Sequence, residues 1–241
     1  MKFLRMPVAA IAALSLSVAV QAQTADEIIN KHLEAIGGKE KIAGLKSLVV
    51  ESEMDIMGTP APTVTTTLYK KGYISEVNYN GQKIINCVTS DKGGWTVNPL
   101  AGVVTAEPMP ADQVKSGQVQ LEPGGSLYNY AANGFTAELA GQEEVNGKKA
   151  YKIVLTGKDG TSFTHFVDPT SYFIVRTVAK MSIGGNPIEQ AVNFSDYKKT
   201  DFGMLVPNNF SIELPNGMVL TSTVKKVEVN KEIDPKIFDK P

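Results

Sequence analysis

Hydrophobic and polar residues alternate with a period of two over most of this chain, from Ser47 onward. Short runs rich in β-branched and aromatic residues recur, and Gly, Pro, Asn and Asp separate them. Such runs are typical of strands, and an Asn-Gly or Asp-Gly pair between two of them is typical of a tight hairpin. These pairs are Asn146-Gly147, Asp159-Gly160 and Asn216-Gly217. The pattern therefore predicts an antiparallel meander of about eleven to thirteen strands.

The alternation stops between Pro108 and Gly134, where prolines and the pair Gly124-Gly125 stand among scattered apolar residues. This composition favours two short helices joined by a turn, over Ala111 to Gly117 and over Ser126 to Asn133. A twisted sheet of more than about ten strands curls. The predicted fold class is therefore mainly β: a curled antiparallel sheet that forms an incomplete barrel of about eleven strands. An N-terminal helix precedes the sheet, and residues 108–134 form a mobile helical lid over its concave face.

Ahead of the sheet, apolar residues recur at the three- and four-residue spacing of an amphipathic helix. Thr24 or Asp26 can cap this helix, and Gly37-Gly38 ends it. A second helical turn is expected over Lys39 to Leu45. The apolar face of the first helix consists of Ile28, Ile29, His32, Leu33 and Ile36.

Residues 1–22 have the three parts of a secretory signal peptide. Lys2 and Arg5 give a basic start, the run from Val8 to Val20 is apolar apart from two serines, and Val20-Gln21-Ala22 provides small residues for cleavage. The apolar run is shorter than the about 20 residues that span a bilayer, so we expect cleavage and no integral membrane span. Gln23 follows the cut, where a lipid-anchored protein would have cysteine. We therefore expect a periplasmic protein without a lipid anchor.

Composition narrows the classes of partner. Lysine and arginine number 24 and aspartate and glutamate 25, which gives a formal net charge of −1. A nucleic-acid interface needs a basic surface, so we expect no nucleic acid as a partner. Cys87 is the only cysteine, which excludes an intramolecular disulfide. Its apolar surroundings indicate a buried thiol rather than a reactive one.

The sequence offers little catalytic or metal-binding chemistry. His32 and His165 are the only histidines, and neither has a His or Cys partner at metal-ligand spacing. No Gly-x-Ser-x-Gly elbow and no phosphate-binding glycine loop occurs. We therefore expect a protein that is not an enzyme and that binds neither a metal nor a cofactor. The carboxylates that could converge in space are scattered and stand mostly in turn contexts: Glu107, Asp168, Asp196 and Asp201.

Apolar side chains are more frequent than a turn-rich surface needs, and two interpretations stay open. They can form the core, or a subset can line a cavity between the sheet and the lid, where methionine and aromatic side chains adapt to an apolar guest. Under the second interpretation Trp95, which follows two glycines, reports ligand binding by its fluorescence. The predicted ligand-binding residues are Met54, Met57, Trp95, Met109, Leu127, Tyr130, Phe173 and Met181.

Several segments, in this order and spacing, resemble the LolA-like family of periplasmic carriers that sort outer-membrane lipoproteins. They are Ala25 to Gly38, Asp91 to Trp95, Leu139 to Gly147, Thr164 to Thr170 and Asn230 to Phe238. They are spread over nearly the whole of residues 23–241, which we expect to form a single domain. The resemblance implies an incomplete β-barrel closed by helices.

The resemblance also implies a role in outer-membrane biogenesis, in which the protein shields lipoprotein acyl chains or another lipid. Lipids or lipoprotein acyl chains are then the partners. An alternative is an envelope regulatory or interaction protein that uses the same fold to bind the periplasmic segment of a membrane protein.

Overall fold

The computed structural model describes residues 23–183, 186–214 and 217–241. The predicted signal peptide and Asn216 of the predicted Asn216-Gly217 turn lie outside these residues. The described residues contain one antiparallel sheet of thirteen strands, which curls but does not close into a barrel. The strands are β1 Ser47–Ile56, β2 Thr59–Leu68, β3 Gly72–Tyr79, β4 Gln82–Thr89, β5 Gly94–Asn98, β6 Val103–Pro108, β7 Phe135–Val145, β8 Lys148–Gly157, β9 Ser162–Val167, β10 Ile174–Ile183, β11 Asn186–Lys199, β12 Leu205–Glu213 and β13 Val219–Val229.

The order of the strands places the first and the last strand next to each other in the middle of the sheet. β1 pairs with β13, while β6 and β7, which follow each other in sequence, are the two edge strands. Residues 109–134 connect these edges, so this insertion crosses the open side of the half-barrel. The predicted incomplete barrel with a helical cover is thus confirmed.

The first helix, α1, covers Ala25–Ala35, and α2 covers Lys39–Ala43. The side chain of Thr24 accepts a hydrogen bond from the Glu27 backbone, and the Glu27 carboxylate accepts one from the Thr24 backbone. This reciprocal capping box satisfies two free N–H groups and fixes where the helix begins. Ile28, Ile29 and Leu33 are buried, as their spacing predicts.

The insertion contains one α-helix rather than two. α3 covers Ala111–Gln118, close to the predicted range, and short 3-10 helices follow at Val119–Leu121 and Gly125–Leu127. The predicted helix over Ser126 to Asn133 is wrong, since Ser126 and Leu127 end a short 3-10 helix and residues 128–133 form turns. Asn129 adopts a left-handed conformation with φ of 51°, which ends any right-handed helix at that point.

A large apolar cluster, here called the concave cluster, lies between the helices and the sheet. It joins α1, α2 and Leu127 of the insertion to Ile153, Leu155 and Phe163 of the neighbouring strands β8 and β9. The register pairs Leu155 with Phe163, so both side chains project from the same face of the sheet. This face is the concave one.

A second cluster, the convex cluster, lies on the opposite face. Ile74, Cys87 and Trp95 stand side by side on β3, β4 and β5, and Phe238 of the C-terminal tail covers them. The indole N–H of Trp95 donates a hydrogen bond of 3.0 Å to the Phe238 carbonyl. Burial, together with nearby Asp239, raises the pKa of the Cys87 thiol to about 12, so Cys87 is an apolar core residue.

In the part of the chain that the structure describes, no helix has the length and apolar character to cross a membrane.

Candidate functional site

A cleft of about 1020 Å³ lies between α3 and the concave face of the sheet. Its floor is apolar and is formed by Phe163 on β9, Met181 on β10 and Ile188 on β11, with Phe135 at the start of β7. Met181 pairs with Ile188, and Ala179 pairs with Phe163, so the floor residues project from one face in adjacent rows. The volume matches the upper range of small-molecule binding sites, about 300–1,000 Å³.

The opposite wall of the cleft is α3, which contacts both β4 and β10. A Cβ added to Gly117 would lie 2.8 Å from Cγ2 of Val88, so the helix backbone rests directly on β4. Val88 neighbours Cys87 in the strand, and successive side chains point to opposite faces. The contact therefore shows that α3 covers the concave face, while the tail covers the convex one.

A charged pair stands at the mouth of the cleft. Nζ of Lys115 on α3 lies 2.6 Å from Oδ2 of Asp159 in the β8–β9 turn. Lys180 and Glu189, which alternate with Met181 and Ile188 and so project from the other face of the sheet, pair at 2.9 Å. Hydrogen bonding from Lys115, and from the Thr161 backbone, lowers the pKa of Asp159 to about 2. Exposed pairs of this kind contribute at most about 1 kcal/mol, so the contact across the mouth is weak.

His165 links the insertion to the sheet beside the floor. Its Nε2 lies 2.8 Å from Oγ of Ser126, and its Nδ1 lies 2.9 Å from Oγ1 of Thr177. Burial, with a smaller contribution from the charge of His32, lowers the pKa of His165 to about 3. The imidazole is therefore neutral at physiological pH, and it ties the loop carrying Ser126 to β9 and β10.

Ser126 and His165 have the spacing of a nucleophile and its base, but their surroundings do not suit catalysis. A serine hydrolase stabilises the imidazolium that forms during attack, usually by a carboxylate on the second ring nitrogen. Here that nitrogen faces the hydroxyl of Thr177, and burial disfavours the charged ring. The arrangement supports a structural role for His165.

The other histidine also has a structural role. Nδ1 of His32 lies 2.8 Å from the Tyr172 carbonyl oxygen, and burial lowers the pKa of the ring. Residues 23–183, 186–214 and 217–241 contain no cluster of three or more His, Cys, Asp or Glu side chains that could hold a metal ion.

The sequence matches no protein-family model and no curated protein. Solved structures do match. An outer membrane lipoprotein-sorting protein domain from Vibrio parahaemolyticus has a TM-score of 0.59 at 13% identity, over 90% of this chain and 97% of that one. A LolA superfamily protein from Nitrosomonas europaea has a TM-score of 0.58 at 14% identity, over 91% and 99%. The fold is LolA-like.

A DUF1329 family protein from Desulfovibrio piger, with a TM-score of 0.57 at 13% identity over 90% and 98% of the chains, has the same fold. The family resemblance found in the sequence is thus confirmed for the architecture.

Within the LolA-like fold, the predicted ligand-binding residues separate into three groups. Met181 lines the cleft. Trp95 lies in the convex cluster, and Met57 is 79% exposed at the tip of the β1–β2 hairpin, so the structure brings neither to the cleft. The remaining five lie on the concave side of the sheet outside the cleft lining: Met54, Met109, Leu127, Tyr130 and Phe173.

Three of these five have clear structural partners. Leu127 is 2% exposed in the concave cluster, and the Phe173 ring stacks on Tyr197 with 4.3 Å between centroids. The Tyr130 hydroxyl donates a hydrogen bond to Asp26 on α1. These contacts attach the insertion to the N-terminal helices and the β9–β10 loop to β11.

Sequence reasoning missed four apolar residues of the cleft: Val119, Phe135, Phe163 and Ile188. A signal for Phe163 existed in the Asp159-Gly160 hairpin. That turn fixes Phe163 opposite Leu155, which places both on the face of the sheet that carries the core.

Proposed function

We propose that this LolA-like protein is a non-enzymatic carrier or binding protein of the periplasm that holds acyl chains of a lipid or lipoprotein in the cleft. The observation that carries the proposal is the apolar floor of Phe135, Phe163, Met181 and Ile188 under α3. The likeness in fold to a domain assigned to lipoprotein sorting supports it. We further propose that residues 23–241 form one domain, exported by a cleaved signal peptide at residues 1–22.

An acyl chain suits this cleft because the floor is apolar while the charged groups stand at the mouth. Each methylene removed from water contributes about 0.8 kcal/mol, so a chain of about twelve carbons can reach micromolar affinity after the costs of immobilisation. A polar headgroup or protein attached to the chain would then remain near Lys115 and Asp159. Met181, the predicted ligand residue that lines the cleft, is the proposed contact for the chain.

Calorimetric titration of delipidated protein with fatty acids of increasing length tests this function. We expect tighter binding with each added methylene pair. Met181→Gln keeps the length of the side chain but adds a polar amide to the floor, and should weaken binding about tenfold. Met57→Gln is the matched control, since Met57 is exposed and outside the cleft, and should bind as the unmodified protein does.

Absence of binding at every chain length would overturn the carrier function. Equal weakening by Met181→Gln and Met57→Gln would place the chain elsewhere in the molecule. Binding of a polypeptide from a membrane protein's periplasmic segment, without binding of any fatty acid, would favour the regulatory alternative.

A further inference from the structure

The inner end of the cleft is polar, although its floor is apolar. The pairing of β9 with β10 arranges the side chains of the concave face in rows across the two strands. Phe163 on β9 belongs to the middle row, and Met181 on β10 lies one row nearer the β8–β9 turn and the mouth. In the other direction His165 pairs with Thr177, and we call this pair the innermost row. Ile153, which pairs with His165 on β8, is fully buried, so the concave cluster closes the cleft at this row.

Ser126 brings a second hydroxyl to the innermost row from the insertion. Its Oγ lies 2.8 Å from Nε2 of His165, and Nδ1 of the same ring lies 2.9 Å from Oγ1 of Thr177. Ser126 lines the cleft, whereas His165 is only 4% exposed. The imidazole therefore stands behind Ser126, and Ser126 is the one of the three side chains that a ligand in the cleft meets.

These three side chains have one more hydrogen-bond donor than their two mutual hydrogen bonds use. A neutral imidazole has one donor and one acceptor nitrogen, and each hydroxyl has one donor. One hydroxyl must donate to the ring and the other must accept from it, so the hydroxyl that accepts keeps its own proton. With the ring proton on Nε2, Ser126 is that hydroxyl and can donate to a ligand. With the ring proton on Nδ1, Ser126 donates to the ring and can accept from a ligand.

A hydroxyl group is the ligand chemistry that fits both states of Ser126. It accepts a hydrogen bond where Ser126 donates, and it donates one where Ser126 accepts. A carbonyl oxygen only accepts, so it fits one of the two states. A carboxylate is disfavoured, because Ser126, His165 and Thr177 are all uncharged and the acidic Glu122 also lines the cleft.

We propose that Ser126 binds a hydroxyl group carried on the acyl chain, near the end of the chain remote from its carboxyl group. This inference rests on the proposed carrier function and specifies the class of ligand. The carboxyl group stays at the mouth near Lys115, the methylenes lie on Met181 and Phe163, and the hydroxyl meets Ser126. Met181 and Thr177 are four residues apart on β10, about 13 Å, which is the length of about twelve bonds in an extended chain.

Three twelve-carbon acids test the proposal by calorimetric titration of the delipidated exported protein. They are dodecanoic acid, 12-hydroxydodecanoic acid and 3-hydroxydodecanoic acid, whose hydroxyl stays at the mouth. At an apolar inner end the 12-hydroxy acid would bind about tenfold more weakly than dodecanoic acid, because its hydroxyl would be buried without a partner. With Ser126 as the partner, we expect the three acids to bind within about threefold of one another.

Ser126→Ala removes the hydroxyl that a ligand meets. It should weaken binding of the 12-hydroxy acid about tenfold and leave that of dodecanoic acid within about twofold. Ser116→Ala is the matched control, since Ser116 also lines the cleft but donates its hydrogen bond to the Asp112 carbonyl within α3. It should change neither affinity. Thr177→Val removes the other hydrogen bond of His165, and should lower the urea midpoint while the ratio of the two affinities stays the same.

Failure of the carrier function and failure of this inference give different results. Absence of binding of dodecanoic acid would overturn both. Binding of dodecanoic acid together with binding of the 12-hydroxy acid that is about tenfold weaker, in the unmodified protein, would overturn the inference alone. This comparison between ligands does not depend on whether any variant folds. Equal weakening of both acids by Ser126→Ala, or the same selective loss in Ser116→Ala, would also contradict the assignment of Ser126.

Discussion

The concave and convex clusters occupy opposite faces of the same sheet, but they differ in size and in what covers them. The concave cluster joins two N-terminal helices, the insertion and strands at the β7 end of the sheet. The convex cluster has four buried members, and Phe238 near the chain terminus is the one that does not come from the sheet. One part of the sheet thus directs large apolar residues inward, and another directs them outward.

This difference between the two faces explains why the cleft is not filled by core side chains. At the β3–β5 end, Ile74, Cys87 and Trp95 pack against the tail, so the stability of this part depends on the convex face. Its concave face contacts α3 through Val88, while the floor of the cleft lies on β9 to β11. The apolar floor is therefore not needed to hold the β3–β5 end of the sheet together.

The largest expected effect comes from removing the residue that covers the convex cluster. Phe238→Ala should cost about 3–5 kcal/mol of the free energy of unfolding, because a buried ring is lost and Trp95 becomes accessible. Urea denaturation measures this cost, and faster reaction of Cys87 with a thiol reagent should accompany it. Ile237→Ala, next to it but 42% exposed, is the control and should cost less than about 1 kcal/mol. Similar costs for the two variants would show that the tail does not pack as described.

A smaller effect is expected when the ring of Phe238 is displaced rather than removed. A Cβ on Gly72 would lie 2.6 Å from Cγ of Phe238, so Gly72→Ala should push the tail outward and cost about 1–3 kcal/mol. Gly44→Ala, whose Cβ would meet its nearest neighbours at 3.4 Å, serves as the control in the same denaturation series. Unchanged stability in Gly72→Ala would contradict the close approach of Phe238 to β3.

Acid should weaken the concave face through its buried histidines. In the folded protein burial holds the pKa of His165 at about 3, whereas the unfolded chain binds a proton near the ordinary value of 6.5. The contribution of neutral His165 to the free energy of unfolding is therefore fully present above about pH 7, and it decreases as the pH falls toward 3. Between pH 6 and pH 5 the loss should be about 1 kcal/mol from this residue.

Urea denaturation at several pH values tests this slope. His165→Gln removes the titrating group while keeping a polar side chain near Ser126, and its stability should vary less over that interval. His32, which stays in the variant, contributes in the same direction because burial lowers its pKa also. Identical slopes for the two proteins would mean that folding does not lower the pKa of His165.

The smallest expected effect concerns Trp95, whose fluorescence should not respond to ligand binding. Because Trp95 packs against Phe238 on the face opposite the cleft, binding of a fatty acid should leave its emission maximum unchanged. Fluorescence recorded during the calorimetric titration checks this directly. A blue shift that follows the binding isotherm would place the guest on the convex face and remove the distinction between the two clusters.

Local sequence signals were sufficient for much of the architecture. Alternation and turn pairs predicted the antiparallel meander, and the break at Pro108 located the insertion. Of the two predicted capping residues, Thr24 and Asp26, Thr24 is the one that caps α1. The prediction of a second insertion helix was wrong, because helical spacing alone does not show that the Asn129 backbone is left-handed.

The candidate site was harder to predict, because alternation defines two faces of a strand but not which of them faces inward. Trp95 belongs to the outward phase of β5, and its partner Phe238 is more than 140 residues away in sequence. Met181 was found as an apolar residue on one phase of its strand. Phe135 and Ile188 join it only through pairing across several strands, which local patterns do not contain.

The pairing of β1 with β13 has a consequence for how the molecule folds. Strands β1–β6 and strands β7–β13 each form successive hairpins, so nearly all their contacts are local in sequence. The two sets join in the sheet where Leu48 meets Val229, which closes a loop of about 180 residues. Non-local pairing is slow to form, so each half should collapse early and their union should limit the rate. A circular permutant that links the native termini and opens the chain within the insertion would turn this long closure into a hairpin.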